Sequence, residues 1–429
     1  MNIPQLNVGL AGYGTVGSGV VRLLQESQDE LISRLGCRIV LKTIADKDMP
    51  KLQSAGLPSD ITLTPSLDDL TNDPSLDVII ELMGGIDAAK GLISKALRAG
   101  KQVVTANKAL LAHTGSELFT LAEDHNVTLR YEASVAGGIP VIQTLRESLV
   151  ANRITSIIGI LNGTSNYILS SMSTTGASFD QALAEAQAEG YAEADPTLDI
   201  DGHDTAHKLV LLIRLAWGMD YPLSQMPTCG IRSVQPLDIN FARDFGCRIK
   251  LIGHARMQNG KIEACVHPTL VNHTYLLARV GGAYNAVRIE GNGVGSLFLH
   301  GLGAGSLPTA SAVLADVAAA AHDKVSGNGL PIRQKTVPLS LAPADEAEAP
   351  WYLRFMVSDM PGVMRDLSGA LAQEGVSIAQ AIQRGGSGGG VPLVFKTHAA
   401  PAAAIRNAVQ AMQKGNLLLD PAMCYRILE

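Results

Sequence analysis

The glycine-rich segment Gly12-Tyr13-Gly14-Thr15-Val16-Gly17 constrains the fold of this chain more than any other feature of its sequence. It directly follows an apolar run around residues 8–10 and directly precedes an amphipathic stretch with helical spacing. Glycines at this spacing allow a tight turn, a close approach of the backbone to a pyrophosphate, and close packing of helix on strand, while the helix N-terminus presents unpaired N–H groups to the anion. The segment therefore predicts a dinucleotide-binding turn, and a tight turn without a ligand is the alternative.

A regular alternation of strands and helices surrounds this turn. The predicted strands lie at residues 6–10, 37–45, 78–82 and 102–105, and the predicted helices at 15–34 and 87–99. Such alternation is typical of βαβ units on a parallel sheet. The first part of the chain is therefore predicted to be a Rossmann-type α/β domain.

Polar and glycine residues follow the predicted strands, where ligands bind in open α/β sheets. Asp46 and Lys47 follow the second strand. An acidic side chain at this place binds the ribose hydroxyls of NAD, whereas a lysine meets the 2′-phosphate of NADP, so the choice of cofactor stays open. A solvated strand end without a ligand is the alternative. Gly85 and Thr105 lie at two further strand ends and are predicted to contact the cofactor as well.

The length, charge and cysteine content of the chain favour small-molecule chemistry. Its 429 residues are enough for two or three domains. A net charge of -6 gives no broad electrostatic footprint for nucleic acid or an anionic membrane. We expect a cytoplasmic protein, because no apolar run reaches about 18 residues and the first residues lack a signal-peptide pattern. The 5 cysteines are scattered without a C-x-x-C pair, and we expect reduced thiols.

The pattern of the chain changes twice after the first part. Long strands mixed with Ala-rich helices predict a second, α+β domain over residues 136–300. A glycine-rich stretch and a helix starting near Pro308 then predict a return to the first domain, since Pro is well placed at a helix start. The predicted organisation is a first domain of residues 1–135 and 301–330, a second of 136–300, a linker at 333–350 and a small C-terminal domain of 351–429.

An acidic loop and the helix after it carry further candidate groups. The loop at residues 190–199 contains three carboxylates, among them Glu193 and Asp199. On the helix predicted over residues 201–217, Asp204 and Lys208 lie four residues apart and so share one face. The alternative to a functional role is an exposed ion pair, which stabilises a helix by about 0.3 to 0.5 kcal/mol.

Two metal sites are alternatives to this interpretation. His203 and His207 lie four residues apart, as in zinc protease helices, but Asp stands where such a helix carries Glu, and no third ligand has a recognisable spacing. The segment Asp199-Ile200-Asp201-Gly202 resembles the start of a calcium loop but lacks the later acidic ligands. Neither metal is favoured.

Seven motifs occur along the chain in order. They are Gly12-x-Gly14-x-x-Gly17, Thr105-Ala106-Asn107-Lys108, the segment Tyr131 to Pro140, the segment Leu161 to Ile168, Gly190-Tyr191-x-Glu193-x-Asp195-Pro196, Asp199-x-x-Gly202-x-Asp204-x-x-x-Lys208, and Gly303-Ala304-Gly305. In this combination and order they resemble the motifs of monofunctional bacterial homoserine dehydrogenases with a C-terminal ACT domain. The resemblance covers essentially the whole chain. It implies the NAD(P)-dependent interconversion of L-aspartate 4-semialdehyde and L-homoserine, in threonine and methionine biosynthesis.

The resemblance also implies roles for single residues. Lys208 exchanges the proton on the reacting oxygen of the substrate, which fits the need of a nascent alkoxide for a positioned acid. Lys108 lies between nicotinamide and substrate, and Asp204 is the third member of the implied catalytic set. Carboxylates are the groups that an α-ammonium group requires. The implied substrate-binding residues are Glu193, Asp199, Asp204, Thr164 and Lys108.

Further residues are implied to hold the cofactor and a cation. Gly190, Gly303 and Gly305 approach the dinucleotide, in addition to the loop residues Gly12, Tyr13, Gly14, Thr15, Val16 and Gly17. A sodium ion is implied at Glu132 and the backbone carbonyls of Val135, Gly137 and Ile139, a set of oxygen ligands that suits a hard cation. A buried Glu132 that caps a nearby helix start is the alternative.

The C-terminal domain resembles an ACT module with the βαββαβ order of the ferredoxin-like fold. The module begins with residues 354–364, and the pattern then predicts a helix to about residue 374, a strand from 376, a strand at 391–397 and a helix over 401–414. The turn around Asp359, Gly362 and Val363 opens a helix N-terminus suited to a carboxylate. The resemblance implies threonine as the effector. A module that only assembles subunits is the alternative.

The predicted protein is a homodimer or homotetramer that assembles through the sheet of the second domain. Two other functions are alternatives to this one. An aspartate-semialdehyde dehydrogenase needs an activated cysteine beside a histidine, and Cys229, Cys247 and Cys265 lack that setting in the sequence. A non-catalytic sensor of dinucleotide and amino acid has no need for Lys108, Asp204 and Lys208 together.

Overall fold

The computed structural model describes residues 3–327, 337–385 and 390–429. The chain forms two compact units in these ranges. The first contains the described residues of 1–153, 207–224 and 293–337, and the second those of 154–206, 225–292 and 338–429. The predicted division into three domains stays a prediction, and its residues 328–330 and 333–336 lie outside the described ranges.

The strands and helices have the following bounds. The strands are β1 (Gln5–Ala11), β2 (Arg38–Ala45), β3 (Thr62–Thr64), β4 (Val78–Glu81), β5 (Gln102–Thr105), β6 (Leu129–Arg130), β7 (Ile154–Ile160), β8 (Cys247–Gln258), β9 (Lys261–Asn272), β10 (Tyr284–Gly291), β11 (Gly295–Leu302), β12 (Ser340–Leu341), β13 (Glu348–Ala349), β14 (Trp351–Val357), β15 (Ile378–Gln383), β16 (Val391–Thr397), β17 (Ala400–Pro401) and β18 (Met423–Leu428). The helices are α1 (Thr15–Glu26), α2 (Gln28–Leu35), α3 (Met49–Ser54), α4 (Asp68–Asn72), α5 (Asp87–Arg98), α6 (Lys108–Asp124), α7 (Val141–Gln143), α8 (Gly163–Thr175), α9 (Phe179–Ala188), α10 (Thr197–Ile200), α11 (His203–Trp217), α12 (Pro236–Asp244), α13 (Ser306–Ser326), α14 (Val363–Gln373) and α15 (Ala402–Lys414).

The first unit is built on a parallel sheet in the order β3-β2-β1-β4-β5-β6. Successive strands are added on one side of β1 up to β3 and on the other side from β4 to β6. The order therefore reverses between β1 and β4, and ligands of open α/β sheets bind at such a switch point, beyond the carboxyl ends of the strands. The prediction of a Rossmann-type sheet is confirmed.

Small residues allow α13 to pack against α1 in this unit. A Cβ on Gly19 would lie only 2.6 Å from the Ser306 hydroxyl oxygen and 3.2 Å from the Ala310 Cβ. The core between the helices and the sheet includes Leu10, Val20 and Val313, each at most 1% exposed. The helix that follows the first turn, α1, is thus packed tightly against α13.

The prediction of one helix over residues 15–34 is wrong, because two helices occupy this segment. Ser27 between α1 and α2 has φ -112° and ψ 18°, outside the helical region. Asp29 and Glu30 lie in the first turn of α2, where acidic side chains favour a helix start. The periodicity of apolar residues continues across the break, which explains why the pattern did not reveal it.

The second unit contains a mixed sheet whose strands run in the order β10-β7-β8-β9-β18-β14-β16-β15. Its longest pair is the hairpin of β8 and β9, with 12 residues in each strand. The connecting residues Asn259 and Gly260 have φ 53° and 73°. Positive φ at both positions of a two-residue turn matches the twist of the flanking strands.

The last part of the second unit has the predicted ferredoxin-like topology. Its strands pair antiparallel in the order β18-β14-β16-β15, with α14 and α15 as the connecting helices. The core of this part contains Phe355, Phe395, Leu367 and Leu371, all 0% exposed. β18 also pairs in parallel with β9, so the module shares one sheet with the preceding part of the unit.

The predicted linker contains regular structure within its described residues, 337–350. β12 pairs in parallel with β9, and β13 pairs antiparallel with β17. Both strands have two residues, which is too short for a periodic pattern to be visible in the sequence. Among the described residues, none of the helices has both the length and the apolar character needed to cross a membrane.

Candidate functional site

The glycine-rich turn has the geometry expected of a dinucleotide-binding loop. Gly12 has φ 96°, and a Cβ at this position would lie 2.7 Å from the carbonyl oxygen of Leu82. A Cβ on Gly17 would lie 2.2 Å from the carbonyl oxygen of Gly12. A Cβ built on Gly14 would meet no heavy atom within 4 Å among the described residues beyond its own chain neighbours and helix backbone, and Gly14 begins α1 without a side-chain cap. The first N–H groups of α1 are therefore available for an anionic group.

A second helix start lies beside this loop. The Ser306 hydroxyl donates a hydrogen bond of 2.6 Å to the Thr15 carbonyl oxygen. Gly305, with φ 121°, begins α13 without a side-chain cap. Gly303 lies against Gly137, where a Cβ would be 2.5 Å from the Gly303 carbonyl oxygen. Gly303 and Gly305 belong to the same unit as the loop of residues 12–17, as their predicted role requires.

Asp46 is tied to the glycine-rich turn by its carboxylate. It accepts a hydrogen bond of 2.6 Å from the Tyr13 backbone N–H and one of 2.9 Å from the Asp48 backbone N–H. Burial acts to raise the pKa of Asp46, but the backbone hydrogen bonds from Asp48 and Tyr13 outweigh it and hold the pKa below its ordinary value. The neighbouring Lys47 side chain is exposed. An ionised carboxylate therefore lies at the edge of the predicted cofactor site.

The ends of β4 and β5 bring two further predicted segments together. The Asn107 side chain donates a hydrogen bond of 2.6 Å to the Gly85 carbonyl oxygen and caps α6 by accepting one of 3.1 Å from the Leu110 N–H. Lys108 is the first residue of α6 and is half-buried. Thr105 is fully buried at the end of β5. The capping of α6 thus fixes the backbone position of Lys108 shortly after the end of β5.

Two of the predicted substrate carboxylates are held by one amide in the second unit. The Asn162 side-chain N–H2 group donates hydrogen bonds of 2.6 Å to Asp199 and 2.8 Å to Asp204. Its carbonyl oxygen accepts one of 2.7 Å from the Ser165 N–H and so caps α8. Asp204 is 5% exposed. Asp199 is half-buried. A carboxylate pair at such a site suits an ammonium group, since partial burial strengthens charge pairing.

Lys208 lies on α11, four residues after Asp204. Its side chain is 8% exposed and that of Asp204 is 5% exposed, so the alternative of a solvent-exposed ion pair is excluded. α11 is shared between the two units, with Asp204 in the second and Lys208 in the first. The helix prediction over residues 201–217 needs a correction, because α10 ends at Ile200 and α11 begins at His203. Gly202 between them has φ 86°.

The loop that carries Glu193 lies against α8. The Thr164 hydroxyl donates a hydrogen bond of 2.7 Å to the Tyr191 carbonyl oxygen, and the rings of Tyr167 and Tyr191 stack with centroids 4.4 Å apart. Gly190, with φ 78°, ends the helix before this loop. The Glu193 side chain itself is exposed, whereas Asn162, Asp199 and Asp204 form a hydrogen-bonded group.

The Glu132 carboxylate caps a short helix. It accepts hydrogen bonds of 2.9 Å and 2.7 Å from the N–H groups of Ile142 and Gln143, in agreement with the capping alternative. Burial raises the pKa of Glu132 to about 7. The loop that follows has positive φ at Ala136 and Gly137, of 58° and 57°. Each carboxylate oxygen keeps a second lone pair, so the predicted sodium ligands Glu132, Val135, Gly137 and Ile139 stay a prediction.

The histidines of the rejected zinc site have other surroundings. The His207 ring meets the His113 ring edge to face, with centroids 5.3 Å apart. Within the three described ranges of the chain, no group of three or more His, Cys, Asp and Glu side chains is arranged to hold a metal ion.

The predicted effector turn precedes α14. Gly362 has φ 97° and begins the helix without a side-chain cap, and Val363 is its first residue. Met360 in the turn is 62% exposed. Asp359 precedes this exposed turn and is itself exposed. The geometry of an open helix start is the one that the sequence predicts.

Two residues with central contacts were missed by the sequence reasoning. Asn162 lies 37 and 42 residues from the carboxylates that it bridges. Glu81 is buried at the end of β4 and accepts a hydrogen bond of 2.6 Å from the Thr105 hydroxyl. The signal for Asn162 is its position directly before a helix, where Asn is a favoured cap. The signal for Glu81 is a charged residue at the end of an otherwise apolar strand.

Family models match three parts of the chain. The model described as homoserine dehydrogenase matches residues 140–318, that of the homoserine dehydrogenase NAD-binding domain matches 12–132, and that of the ACT domain matches 351–413. The chain is 41% identical over 433 residues to the homoserine dehydrogenase of Neisseria gonorrhoeae, with 98% of each chain covered. It is 40% identical over 425 residues to that of Helicobacter pylori, with 99% of each covered.

Solved structures give the same likeness. A homoserine dehydrogenase from Thiobacillus denitrificans superposes with a TM-score of 0.94 at 38% identity, covering 99% of this chain and 98% of that one. A hyperthermophilic archaeal homoserine dehydrogenase in complex with NADPH superposes with a TM-score of 0.61 at 27% identity, covering 73% of this chain and 96% of that one.

Proposed function

Because the chain belongs to the homoserine dehydrogenase family and is an oxidoreductase, we propose that it interconverts L-homoserine and L-aspartate 4-semialdehyde with NAD or NADP. The observation that carries this proposal is the pair of carboxylates on Asp199 and Asp204 that the Asn162 amide holds. Two negative charges at a site of low exposure select a substrate with a cationic group, and the α-ammonium of homoserine is such a group.

The residues of the chain have distinct tasks in the proposed reaction. A bound nicotinamide would supply hydride transfer, from the carbon that bears the homoserine hydroxyl or back to the aldehyde carbon. Lys208 accepts the hydroxyl proton as the aldehyde forms and donates it in the reverse direction. Lys108 adds a second positive charge beside the developing alkoxide. Asp199, Asp204, Glu193 and Thr164 hold the amino-acid part of the substrate.

The glycine-rich turn supports the cofactor part of the proposal. Its open Gly14 and the uncapped starts of α1 and α13 suit a pyrophosphate. Asp46 and Lys47 favour opposite cofactors, so we assay both. Replacement Asp46→Ser removes the charge that opposes a 2′-phosphate, and we expect it to raise KM for NAD and to lower KM for NADP.

The test is an absorbance assay at 340 nm with purified full-length protein, homoserine and each dinucleotide. Turnover of homoserine is the expected result, and no turnover with either cofactor contradicts the proposed reaction. A sensor without catalysis would bind the dinucleotide in calorimetry and leave the absorbance constant. An aspartate-semialdehyde dehydrogenase would require phosphate and the aldehyde instead.

A sodium ion at Glu132, Val135, Gly137 and Ile139 is part of the proposal. The atoms that would ligate the ion are all oxygens, and the Glu132 carboxylate keeps lone pairs beyond the two hydrogen bonds that it accepts. When bound, the ion would order the loop between Glu132 and α7. Thermal unfolding in sodium chloride and in choline chloride of equal ionic strength tests it, since identical midpoints would exclude a specific sodium site.

We also propose that the ACT module binds threonine at Asp359, Gly362 and Val363. The uncapped start of α14 is suited to the carboxylate of an amino acid. Calorimetry with threonine on the full chain, together with activity at increasing threonine, tests this. If threonine produces no heat and no change in rate, the role of the module is assembly.

A homodimer or homotetramer in the cytoplasm completes the proposal. β11 supports assembly, because Leu297, Phe298 and Leu299 lie on a strand whose residues are all at least partly exposed. All five cysteines are free thiols, as in proteins of reducing compartments. Light scattering of the purified protein gives the mass, and a monomer at micromolar concentration contradicts the assembly. The proposed reaction belongs to threonine and methionine biosynthesis.

A further inference from the structure

Glu81 is a buried carboxylate at the switch point of the parallel sheet. It is the last residue of β4, where it pairs with Ala11 of β1 on one side and with Thr105 of β5 on the other. Its exposure is 0%. Ala11 directly precedes the glycine-rich turn, and Thr105 begins the segment that leads to Lys108. Glu81 therefore lies between the two chain segments that carry the proposed cofactor contacts.

Both oxygens of the Glu81 carboxylate accept hydrogen bonds from these surroundings. The Thr105 hydroxyl donates to Oε2 at 2.6 Å, and the Met83 backbone N–H donates to Oε1 at 2.8 Å. The Thr105 hydroxyl oxygen in turn accepts a hydrogen bond of 3.0 Å from the Asn107 N–H. The direction of the chain of hydrogen bonds is thereby fixed, because the Thr105 hydroxyl has a single proton and directs it at the carboxylate.

Two turns are fixed by this carboxylate. Through Met83 it holds the turn that continues into Gly84 and Gly85, both with φ 72°. Through Thr105 it holds the turn at Asn107, whose side chain donates to the Gly85 carbonyl oxygen at 2.6 Å. The two turns therefore form one hydrogen-bonded assembly, and Lys108 follows it directly as the first residue of α6.

We propose that Glu81 is a positioning residue for the dehydrogenase reaction, which sets the place of Lys108 and of the Gly84-Gly85 turn by way of Thr105 and Met83. The inference rests on the proposed function. Removing a carboxylate from water is costly, and a well-packed apolar side chain of similar size serves stability as well or better. Catalysis requires that reacting groups are held in a defined geometry, and this requirement explains a buried carboxylate that holds two turns of the proposed cofactor site.

Burial also raises the pKa of Glu81, against the hydrogen bonds from Thr105 and Met83, which lower it. The two donors around residue 81 distinguish a carboxylate, which accepts at both oxygens, from an amide, which accepts only at one. In Glu81→Gln, one carbonyl oxygen remains as an acceptor for either Thr105 or the Met83 N–H. If that oxygen stays on the Met83 N–H, the amide N–H2 group donates to the Thr105 hydroxyl oxygen, and the hydroxyl proton loses its acceptor, so the direction of this hydrogen bond is reversed.

The experiment compares four variants of the full-length protein. Glu81→Gln and Thr105→Val each break the carboxylate contact, and Thr105→Ser keeps the hydroxyl. Val103→Ala is the matched control, because Val103 is a fully buried residue two positions earlier on β5 and carries no side-chain hydrogen-bonding group. Steady-state kinetics with homoserine at saturating dinucleotide are measured, together with the dissociation constant of the dinucleotide and the thermal midpoint.

A positioning role predicts that Glu81→Gln and Thr105→Val each lower kcat/KM about ten-fold to a hundred-fold, since small displacements of catalytic groups have effects of this size. Thr105→Ser recovers most of the loss caused by Thr105→Val. Because both changes break one contact, the double variant is less impaired than the product of the two single effects. Val103→Ala lowers the thermal midpoint but keeps the kinetics within about two-fold of the wild type.

Three results would overturn the inference. They are kinetics of Glu81→Gln within two-fold of the wild type, equal losses in Thr105→Val and Thr105→Ser, and a loss in Val103→Ala as large as that in Glu81→Gln. If Glu81→Gln does not fold, the comparison of Thr105→Val with Thr105→Ser decides. A wild type that does not oxidise homoserine refutes the proposed function separately, and the dinucleotide dissociation constants of the variants still test the positioning role.

Discussion

The side-chain amide of Asn162 donates a hydrogen bond of 2.8 Å to the carboxylate of Asp204. The other hydrogen of the same amide is directed at Asp199, at 2.6 Å. Two carboxylates that would otherwise repel each other are thus held together by a neutral donor. The amide carries no charge itself, so this contact holds the two carboxylates in place without neutralising them.

We expect Asn162→Asp to raise KM for homoserine about ten-fold or more, with KM for the dinucleotide within about two-fold of the wild type. Aspartate keeps the cap of α8, since Asp and Asn are equally good caps. It loses both N–H donors and adds a third carboxylate, which disturbs the substrate pair by like-charge repulsion. Steady-state kinetics with each substrate varied in turn measure the effect.

The control for this change is Ser178→Ala. Ser178 caps α9 through a hydrogen bond of 3.3 Å from the Gln181 N–H, in an exposed capping box. Its loss destabilises the helix by about 1 kcal/mol and leaves both KM values in place. An equal rise of both KM values in Asn162→Asp would mean that Asn162 stabilises the unit rather than the substrate site.

Lys208→Met is expected to lower kcat for homoserine oxidation about 10²-fold to 10⁴-fold, the range of general acid–base catalysis. Methionine keeps the length and the apolar stem of the side chain, which is 8% exposed. KM for the dinucleotide should change little, because the lost proton transfer acts on the reacting oxygen. Lys324→Met is the control, since Lys324 forms a half-exposed ion pair of 2.6 Å with Asp77. A kcat of Lys208→Met within three-fold of the wild type contradicts the role.

Arg354→Met is expected to lower the free energy of unfolding by about 3 to 5 kcal/mol, as for other broken buried ion pairs. Arg354 on β14 donates to Asp238 on α12 at 2.6 Å and 3.2 Å, and the two side chains are 3% and 0% exposed. The Tyr352 hydroxyl donates to the same carboxylate at 2.9 Å. The change leaves a buried charge without its partner. Urea denaturation monitored by circular dichroism measures the loss.

The control is Arg406→Met, whose partner Asp345 lies at the surface with it. Exposed ion pairs contribute little, so this variant should unfold close to the wild type. Equal stability of both variants would show that the contact between β14 and α12 is dispensable. The same contacts mean that deletion of residues 351–429 removes β18 from β9 and exposes the Asp238 carboxylate. Regulation is therefore tested on the full chain.

Local patterns predicted much of the fold. The strands predicted over residues 391–397 and 102–105 are β16 and β5, both with identical bounds. The glycine-rich turn was predicted with its flanking elements, because each of its glycines has a local reason. Both results rest on interactions between residues near in sequence, which a single sequence displays.

Contacts between distant parts of the chain were beyond such reasoning. The pairing of β18 with β9 joins Arg426 to Thr269, and no pattern in either strand specifies its neighbour. The same holds for Asn162, whose cap role is local while its contacts with Asp199 and Asp204 depend on how α8 meets α10 and α11. The break at Ser27 was hidden because the apolar spacing continues through it.

Lys250 makes the stability of the second unit depend on pH. Its amine donates to the Asn166 side-chain oxygen at 2.9 Å and to the Val280 carbonyl oxygen at 2.6 Å, and the side chain is 3% exposed. Burial, with a smaller effect of Arg248, lowers the pKa of Lys250 to about 7. In the unfolded chain a lysine has a pKa of about 10.4. Between these two values the unfolded chain binds one proton more than the folded protein.

The free energy of unfolding contributed by this group therefore rises with pH in that window, by about 1.4 kcal/mol per pH unit. Below about pH 7 the amine is charged in both states, and the contribution no longer changes. Lys250→Met lacks the titration, so the wild type should gain stability relative to the variant from about pH 7.5 to 9.5. Urea denaturation at several pH values measures the difference between the two proteins.

Lys261→Met on the same hairpin is the matched control, because Lys261 is exposed at the start of β9. The free energy of unfolding of Lys261→Met, plotted against pH, should run parallel to that of the wild type. If the curve of Lys250→Met does so as well, the amine at position 250 is charged in the folded protein throughout this range. The oxygens of Asn166 and Val280 would then accept hydrogen bonds from a buried ammonium ion, and these two contacts would help to stabilise its charge.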